Sequence, residues 1–334
     1  MKNRDILDLT KYILSFMIVA IHLELWPNIL YPWLRLAVPL FFMISSYILF
    51  CNFNSANEEF KKKYIKNYIK RNLQLYLFWF IVLLPITVLV RLDWFRHGII
   101  GFVKHIPNIL FSSTFVASWF IIGAVWAVVI LYLTRKVNWK ILLLIFSFVY
   151  LICCIRSSYG YLLGAKVWNI ISSYEAVFTN PVFSFPVATF WMFIGKLFAD
   201  SRVKNIRKSS ALIFLALSAA CLWIEWRVVI HLGGLNNNDC YFMLPPVCVC
   251  IFALIKDIQI ELTHSKNLRT ISTVTYPLHS SLIVVVGSVL ARYCEIIDYT
   301  WIKYIIVVFV CHIATLIILK IEKIKCFKFL KFSH

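Results

Sequence analysis

The sequence predicts an all-α membrane protein, a polytopic bundle of about ten transmembrane helices. Hydrophobic residues make up 61% of the 334 residues and charged residues 15%, whereas soluble domains average about 45–50% and about 25%. The mean hydropathy is +0.82. A soluble fold of this length cannot hide so much apolar side chain from water. A soluble enzyme, a secreted domain and a disordered regulator are therefore excluded.

Apolar stretches follow one another along the chain, and most reach the roughly 17–25 residues that a spanning helix needs. They cover residues 7–25, 33–51, 72–90, 115–133, 139–155, 184–199, 209–230, 241–255, 270–291 and 301–319. Prolines in 184–199 and 241–255, the two short stretches, predict broken or tilted ends. No internal repeat or linker separates the stretches, so we expect one domain over residues 1–334 with no soluble domain appended.

The formal net charge of +19 follows the predicted topology. With both termini in the cytoplasm, roughly three quarters of the Lys and Arg residues fall on the cytoplasmic side, as the positive-inside rule requires. Anionic lipid headgroups attract such residues. The basic excess is thereby explained by a lipid bilayer as partner, and we expect no nucleic-acid partner.

Polar residues share one face of the first predicted helix. At 100° per residue, Asp8, Lys11, Ser15 and His22 lie within a stripe about 60° wide. A charge in hydrocarbon costs on the order of several kcal/mol, so this polar stripe predicts the lining of a cavity or channel. The spacing of Asp8 and Lys11 predicts an ion pair at the entrance of that cavity.

His22 is the candidate general base, because neutral imidazole accepts a proton from a hydroxyl near physiological pH. The alternative is a packed histidine that is hydrogen-bonded across helices. Glu24 either orients His22 or is solvated at the outer boundary. Arg35, at the outer edge of the second stretch, either binds an anionic or hydroxylated acceptor or reaches the lipid headgroups.

The ninth stretch carries a second polar face. Ser272, Tyr276 and His279 follow one another at spacings of four and three residues, which places them on one side of a helix. They either line a cavity or form a hydrogen-bonded seam between helices.

Two connections between stretches also carry candidate sites. The basic run at 61–71 either follows the positive-inside rule or docks the phosphates of a donor. The outer segment 156–183 is rich in Tyr, Ser and Asn and either stacks on sugar rings or forms an interfacial aromatic belt. Cys240 and Cys294 fall near the outer surface, within reach of a disulfide. The cysteines show no metal-ligand spacing, so we expect no metal.

Together these motifs resemble the integral-membrane acyltransferase family 3. The resemblance covers essentially the whole chain and is carried by Asp8-x-x-Lys11, His22, "VPLFFMISSYIL", "RNLQLY", "SWF" at 118–120 and "TYPLH" at 275–279. It implies a multi-pass protein of the bacterial inner membrane that takes an acyl group from cytoplasmic acyl-CoA, usually acetyl-CoA. The acceptor is expected to be extracytoplasmic, in most members a sugar hydroxyl of a surface polysaccharide.

The resemblance also implies roles for individual residues. His22 matches the catalytic histidine. The chemistry of acyl transfer, and not the resemblance, predicts that Lys11, or a backbone or hydroxyl donor, offsets the charge of the developing oxyanion and that Asp8 holds Lys11. Arg71 matches a basic residue that meets the CoA, and Lys66 and Lys70 are its neighbours. The acceptor is expected to contact Arg35, Glu24, Trp119, Tyr276 and His279.

The chain departs from the family pattern at two positions. Ser45-Ser46 stands where the family usually has Ser-Gly, and Tyr68 takes the place of an arginine before the third stretch. The chain also resembles the membrane half of the vancomycin-resistance serine racemases. That relationship implies the alternative function, a membrane transporter for a small polar substrate such as an amino acid.

Overall fold

The computed structural model describes residues 4–25, 29–90, 92–95, 98–113, 118–203, 207–234, 238–293 and 300–334, and these residues form helices and no β-strand. The α-helices are α1 (Asp5–His22), α2 (Tyr31–Leu34), α3 (Ala37–Asn54), α4 (Glu58–Val82), α5 (Leu84–Val90), α6 (Leu92–Phe95), α7 (Gly98–Val103), α8 (Ile106–Phe111), α9 (Trp119–Leu133), α10 (Trp139–Ser158), α11 (Ala165–Phe178), α12 (Phe185–Ala199), α13 (Lys208–His231), α14 (Leu244–Ile255), α15 (Ser265–Tyr293) and α16 (Thr300–Ile321). Short 3₁₀ helices lie at Gly160–Leu162, Pro181–Phe183 and Lys325–Ser333.

In the described part of the chain, 6 helical segments are long and apolar enough to cross a membrane. They are Tyr31–Asn54, Trp139–Ser158, Ala165–Ala199, Lys208–His231, Ser265–Tyr293 and Thr300–Ile321. A seventh is the pair α4 and α5, which bends by 69° at its break. The all-helical membrane fold is confirmed at this level.

The count of about ten spans is not confirmed, although each predicted stretch contains a helix. The helices α9 and α14 are 15 and 12 residues long, which is less than the roughly 17 residues that cross the hydrocarbon core. The helix α1 has 18 residues but carries Asp5, Asp8 and Lys11. Because of these charged residues, α1 is not counted with the apolar helices that could cross a membrane.

The helix α12 lies at the centre of the fold, packed against α3, α9 and α10. Most of its side chains are buried. Gly195 permits the closest approach, because a Cβ at this position would lie 2.3 Å from the carbonyl oxygen of Met43 on α3. On another side of the bundle, α1 packs against α15 and α3, and α15 packs against α16. The polar stripe of α1 is therefore bordered by α3 and α15.

The loop before α14 is held by a carboxylate within α13. Glu225 accepts hydrogen bonds from the backbone N–H groups of Phe242 at 2.6 Å and Met243 at 2.8 Å, and from the hydroxyl of Tyr159 at 2.5 Å. The first N–H groups of a helix lack partners within the helix, and a negative charge there also favours the helix dipole. Glu225 thus fixes both the start of α14 and the loop residues 238–243.

Candidate functional site

The polar stripe of α1 faces the interior of the bundle. Asp8 and Ser15 are buried, and the Ser15 hydroxyl donates to the carbonyl of Tyr12 at 2.6 Å. The Lys11 ammonium lies 6.0 Å from the ring centroid of Phe41 on α3. The structure therefore encloses the part of the stripe that includes Asp8 and Ser15, while His22 at its other end is exposed.

The predicted Asp8–Lys11 ion pair is not formed. Asp8 pairs instead with Arg269 of α15, at 3.8 Å from Oδ2 to Nη1. The Lys11 side chain lies against Phe41 of α3, within electrostatic range of both Asp8 and Arg269. Arg71 of α4 is close enough to interact electrostatically with both Lys11 and Arg269. We call Lys11, Arg71 and Arg269 the cationic cluster: three helices bring these cations together, and Asp8 lies near Lys11 and Arg269.

Lys11 and His22 lie at opposite ends of the stripe. At 1.5 Å per residue the two residues are about 16 Å apart along α1. The expectation that Lys11 stabilises an oxyanion beside His22 does not fit this separation. Lys11 and Asp8 belong to the end of the site where the cationic cluster lies.

His22 and His279 lie side by side with ring centroids 5.0 Å apart, but their nitrogens are used differently. His279 is fully buried. Its Nδ1 lies 3.0 Å from the carbonyl of Thr275 and its Nε2 lies 3.1 Å from the hydroxyl of Ser280. A carbonyl only accepts, so Nδ1 carries the proton and Nε2 accepts from Ser280.

His22 is exposed, although it lies against a fully buried neighbour. Within the residues that the structure describes, no side chain or backbone group is within hydrogen-bond distance of its ring. Such an imidazole is accessible and has a nitrogen lone pair available. Of the two adjacent histidines, His22 is therefore the one that can accept a proton from an incoming group.

Aromatic rings connect the two ends of the stripe. The Phe41 ring, which lies beneath Lys11, is 6.0 Å from Phe120, and Phe120 is 5.1 Å from Tyr276. Tyr276 is in turn 6.2 Å from His279. We call Phe41, Phe120, Tyr276 and His279 the aromatic wall. It gives the interior an apolar side that runs parallel to the polar stripe.

The polar face of the ninth stretch forms one hydrogen bond to another helix, through Tyr276, and otherwise bonds within α15. Tyr276 accepts a hydrogen bond from the backbone N–H of Phe120 at 3.2 Å, which satisfies a free donor at the start of α9. Ser272 is buried and donates to the carbonyl of Arg269 at 2.8 Å. Trp119 packs against Phe42, with ring centroids 5.7 Å apart, and belongs to the packing around α9. In the described part of the chain, His279 is the one residue of this face whose ring contacts that of His22.

Arg35 makes contacts within the protein that neither of its two predicted alternatives included. Its guanidinium forms an ion pair with Asp239 and stacks on Tyr31 at 4.3 Å. The Asp239 backbone N–H donates to the Ser157 hydroxyl at 2.9 Å. Burial raises the pKa of the Asp239 carboxyl, and the nearby guanidinium opposes this rise. Arg35 thus ties the start of α3 to the loop before α14, within electrostatic range of His22.

Glu24 is exposed and sits in a strained turn. Its φ is +51°. The backbone N–H of Leu25 donates to the carbonyl of Ala20, and that of Glu24 donates to the carbonyl of Ile21, both at 3.1 Å. This is a Schellman ending of α1, in which glycine is the usual residue at the left-handed position. Within the described residues Glu24 makes no hydrogen bond to His22.

Lys66 and Lys70 are exposed on α4, and Arg71 alone of the three faces Lys11 and Arg269. The Trp79 indole, further along α4, donates to the Ser333 carbonyl at 3.0 Å. This contact brings the last described residues to α4. There the pKa of His334 is lowered, chiefly by burial, with smaller contributions from Arg71 and Arg269 and an opposing one from Glu322.

Arg269 is the main residue that the sequence interpretation missed. It precedes Ser272, Tyr276 and His279 by three, seven and ten positions, which are spacings of one helical face. The same periodicity could therefore have identified it. Glu225 and Asp239 gave no such signal, since their partners are remote in sequence.

No group of three or more His, Cys, Asp or Glu side chains in the described ranges is arranged to hold a metal ion. Cys294, which the sequence places near the outer surface with Cys240, lies outside the described residues. Cys240 itself is buried, and its carbonyl accepts from the Ser158 hydroxyl.

Fold and site together define a helical membrane protein with an accessible imidazole in its interior and a cluster of cations at one end of the same helix. Residues 4–320 match the profile of the acyltransferase domain of acyltransferase family 3. The chain belongs to this family, as the motifs predict.

Curated relatives are similar over most of this chain. An amino-acid racemase from Enterococcus faecalis is 24% identical over 97% of this chain and 47% of its own length. A serine/alanine racemase from Enterococcus gallinarum is 27% identical over 76% of this chain and 37% of its own length. The chain thus spans less than half the length of these relatives. No solved structure gives a significant match.

Proposed function

We propose that the protein is an integral-membrane acyltransferase that moves an acyl group, in the first place acetyl, from cytoplasmic acyl-CoA to a hydroxyl of an extracytoplasmic acceptor. The acceptor we propose is a sugar of a cell-surface polysaccharide. The observation that carries the proposal is the exposed imidazole of His22, which forms no hydrogen bond with the described residues, in a member of an acyltransferase family. It supplies the base that an acyl transfer to a hydroxyl requires.

The cationic cluster is the proposed site for the phosphates of the donor. Lys11, Arg71 and Arg269 place three positive charges close together, and Asp8 is paired with Arg269. Phosphate oxygens bind Arg and Lys through charge-assisted hydrogen bonds. The thioester of acyl-CoA stands at the end of a long flexible arm. Such an arm allows the phosphates to remain at the cluster while the thioester approaches His22 along the aromatic wall.

The chemical step follows from this arrangement. The oxygen of the acceptor hydroxyl attacks the carbonyl carbon of the thioester, and its proton passes to His22. The new C–O bond forms as the C–S bond breaks. The proton on His22 then goes to the departing thiolate, which leaves as the free thiol of CoA. His279 keeps the ring of His22 in place by packing and takes no part in proton transfer.

The proposed orientation puts both termini and the cationic cluster in the cytoplasm, and His22 near the outer face of a bacterial inner membrane. The distribution of Lys and Arg supports it. The outer segment 156–183 then faces the acceptor and includes α11, whose exposed side is rich in apolar and aromatic residues. Cysteines placed in 52–71 and in 156–183 should be labelled by membrane-impermeant reagents from opposite sides.

The direct test is acyl transfer by the purified chain in proteoliposomes, with radiolabelled acetyl-CoA as donor and the surface polysaccharide as acceptor. His22→Gln should lower the transfer rate by roughly 10²–10⁴-fold, the usual worth of a positioned base, because an amide forms hydrogen bonds but does not take up a proton. Insertion and folding should be retained, since a polar group is not added to the span.

A matched control is His312→Gln on α16. The His312 ring is bonded to the hydroxyl of Tyr12 at 2.8 Å and to the carbonyl of Val308 at 3.0 Å. His312 lies on α16, which packs against α1, and its ring nitrogens are hydrogen-bonded. Its replacement should therefore leave acyl transfer near the wild-type rate. A correctly inserted His22→Gln protein that still transfers at the wild-type rate contradicts the assignment of the base.

The second candidate function is carriage of a small polar solute such as an amino acid. It is favoured by the similarity to an amino-acid racemase and to a serine/alanine racemase over most of this chain. Uptake of labelled serine into the same proteoliposomes separates the two functions. A carrier would transport serine without acyl transfer, and its activity would tolerate a hydrogen-bonding residue at position 22.

A further inference from the structure

A polar cavity of about 430 Å³ lies at the ends of α9, α10 and α12. Its walls come from the end of α9, the loop that leads into α10, the first turn of α10 and the residues that follow α12. The charged side chains that line it are Arg135, Lys136, Lys140, Lys196, Asp200 and Arg202. Five of these six are basic. None of the residues of the cationic cluster on α1, α4 and α15 lines this cavity.

The one acidic side chain in the cavity is already neutralised. Asp200 forms an ion pair with Lys196 and accepts a hydrogen bond from the Asn54 amide at 2.8 Å. Glu58, whose charge also reaches Arg135, is paired with Lys61 at 2.5 Å. Within the described residues, Arg135, Lys136, Lys140 and Arg202 have no carboxylate within 4.0 Å. The cavity therefore carries an uncompensated positive charge.

Two further features prepare the cavity for an anion. The Arg135 guanidinium is oriented by stacking on the Tyr132 ring at 4.1 Å and by donating to the Tyr132 carbonyl at 2.9 Å. The helix α10 begins in the cavity at Trp139 and has 20 residues. The N-terminal end of a helix carries a positive partial charge that attracts phosphate and other anions.

The positive-inside rule accounts for basic residues spread along one face of a membrane. It does not require their side chains to surround one cavity. Here the cations surround a concave space together with a helix N-terminus. Phosphate oxygens match this set, because Arg and Lys bind phosphate through charge-assisted hydrogen bonds. We infer that this cavity is a binding site for a phosphate-bearing anion, provided either by an anionic phospholipid headgroup or by a soluble phosphate compound. The inference does not depend on the proposed function.

The test uses the full chain in nanodiscs and a pair of double variants. Lys140→Gln with Arg202→Gln removes two exposed cations from the cavity, and Lys323→Gln with Lys328→Gln removes two exposed cations elsewhere. Inorganic pyrophosphate is titrated in neutral phosphatidylcholine discs. In a second arm the melting temperature is compared between neutral discs and discs that contain phosphatidylglycerol. Both variants retain the cationic cluster, so any phosphate binding there is the same in each.

If the ligand is soluble, the cavity variant should bind pyrophosphate about thirtyfold more weakly than the wild type, while the control variant keeps its affinity. If the ligand is a lipid headgroup, phosphatidylglycerol should raise the melting temperature of the wild type and the control, and this rise should disappear in the cavity variant. The inference is overturned if the wild type responds to neither probe, or if both variants lose the response equally.

Discussion

Hydrogen bonding distinguishes His22 from its neighbour His279. Both are predicted to lie at membrane depth on polar helix faces. The rings are 5.0 Å apart, yet both nitrogens of His279 are hydrogen-bonded, whereas His22 forms no hydrogen bond with the residues that the structure describes. A base must offer a free lone pair to the group it deprotonates. The proposed role therefore depends on local partners that only the folded chain reveals.

Glu24 provides a prediction about strain. Its left-handed φ of +51° is costly for a side chain with a Cβ and free for glycine. Glu24→Gly should therefore stabilise the end of α1 by about 0.5–1 kcal/mol, measured by thermal unfolding in detergent. If the carboxylate orients His22, the same variant should lose transfer activity despite its greater stability.

The control for this experiment is Glu24→Gln, which keeps the strain and removes the charge. Unchanged activity in both variants would show that Glu24 is merely solvated, the other alternative that the sequence left open. A loss of stability in Glu24→Gly would instead contradict the strained turn.

Arg35 and Asp239 provide a prediction about an ion pair. Arg35→Gln and Asp239→Asn should each destabilise the protein by about 1–3 kcal/mol, because each leaves a partly buried charge without its partner. The double variant should be less destabilised than the sum of the two single variants, by a coupling of about 1–3 kcal/mol. Thermal unfolding of the four proteins measures this coupling.

Activity of the double variant then separates structure from acceptor binding. If Arg35 acts only by tying the loop before α14 to α3, the double variant should recover transfer along with stability. A double variant that is stable but has a raised KM for the acceptor would assign Arg35 to acceptor binding. Additive losses of stability would rule out the ion pair as a structural tie.

Close packing between helices is decided by small residues at the contact. Gly195 on α12 faces the backbone of Met43 on α3, and a Cβ would lie 2.3 Å from its carbonyl oxygen and 2.9 Å from its Cα. Backbone atoms cannot rotate away as a flexible side chain does, so the helices must separate. Tightly packed helices of this kind approach through glycine in many membrane proteins.

Gly195→Ala should therefore destabilise the protein by about 1–3 kcal/mol or more, measured as a lower melting temperature in detergent. Gly287→Ala on α15 is the matched control, because its Cβ would meet only the flexible end of Lys303 at 3.5 Å. The control should be neutral or stabilising, since alanine favours helix over glycine. Equal stability of both variants would contradict the close α3–α12 contact.

Helix ends show the same dependence on remote partners. The start of α9 is completed by Tyr276 of α15, and the start of α14 by Glu225 of α13. The apolar stretches of the sequence predicted the positions of both helices, because a hydrophobic stretch consists of residues that are neighbours in the sequence. They gave no information on the caps, since the capping residues come from helices far away in the chain.

At the scale of the whole molecule, the proposed reaction needs its donor and its base at two ends of one helix. Arg71→Ala should raise the KM for acyl-CoA by about 10–100-fold, with kcat changed by less than about threefold. A charge that holds a phosphate acts alike in the ground state and in the transition state. Steady-state kinetics in proteoliposomes measure both constants.

Lys323→Ala serves as the control, because Lys323 is exposed beyond α16. An unchanged KM in Arg71→Ala would exclude the cationic cluster as the donor site and leave lipid contact as its role. A fall in kcat without a change in KM would place Arg71 in the chemical step instead.

Composition and periodicity alone predicted a membrane protein, an all-helical fold and the polar stripe of α1. These properties depend on overall composition and on residues that are neighbours in the sequence. The sequence motifs resemble those of the family, and the chain's match over residues 4–320 confirms the family. The tertiary structure decided which charges meet. Asp8 pairs with Arg269 and not with Lys11, and Arg35 pairs with Asp239 across 204 positions. In a low-dielectric interior each charge needs a partner at a few ångströms, and only the packing of distant helices determines which partner that is.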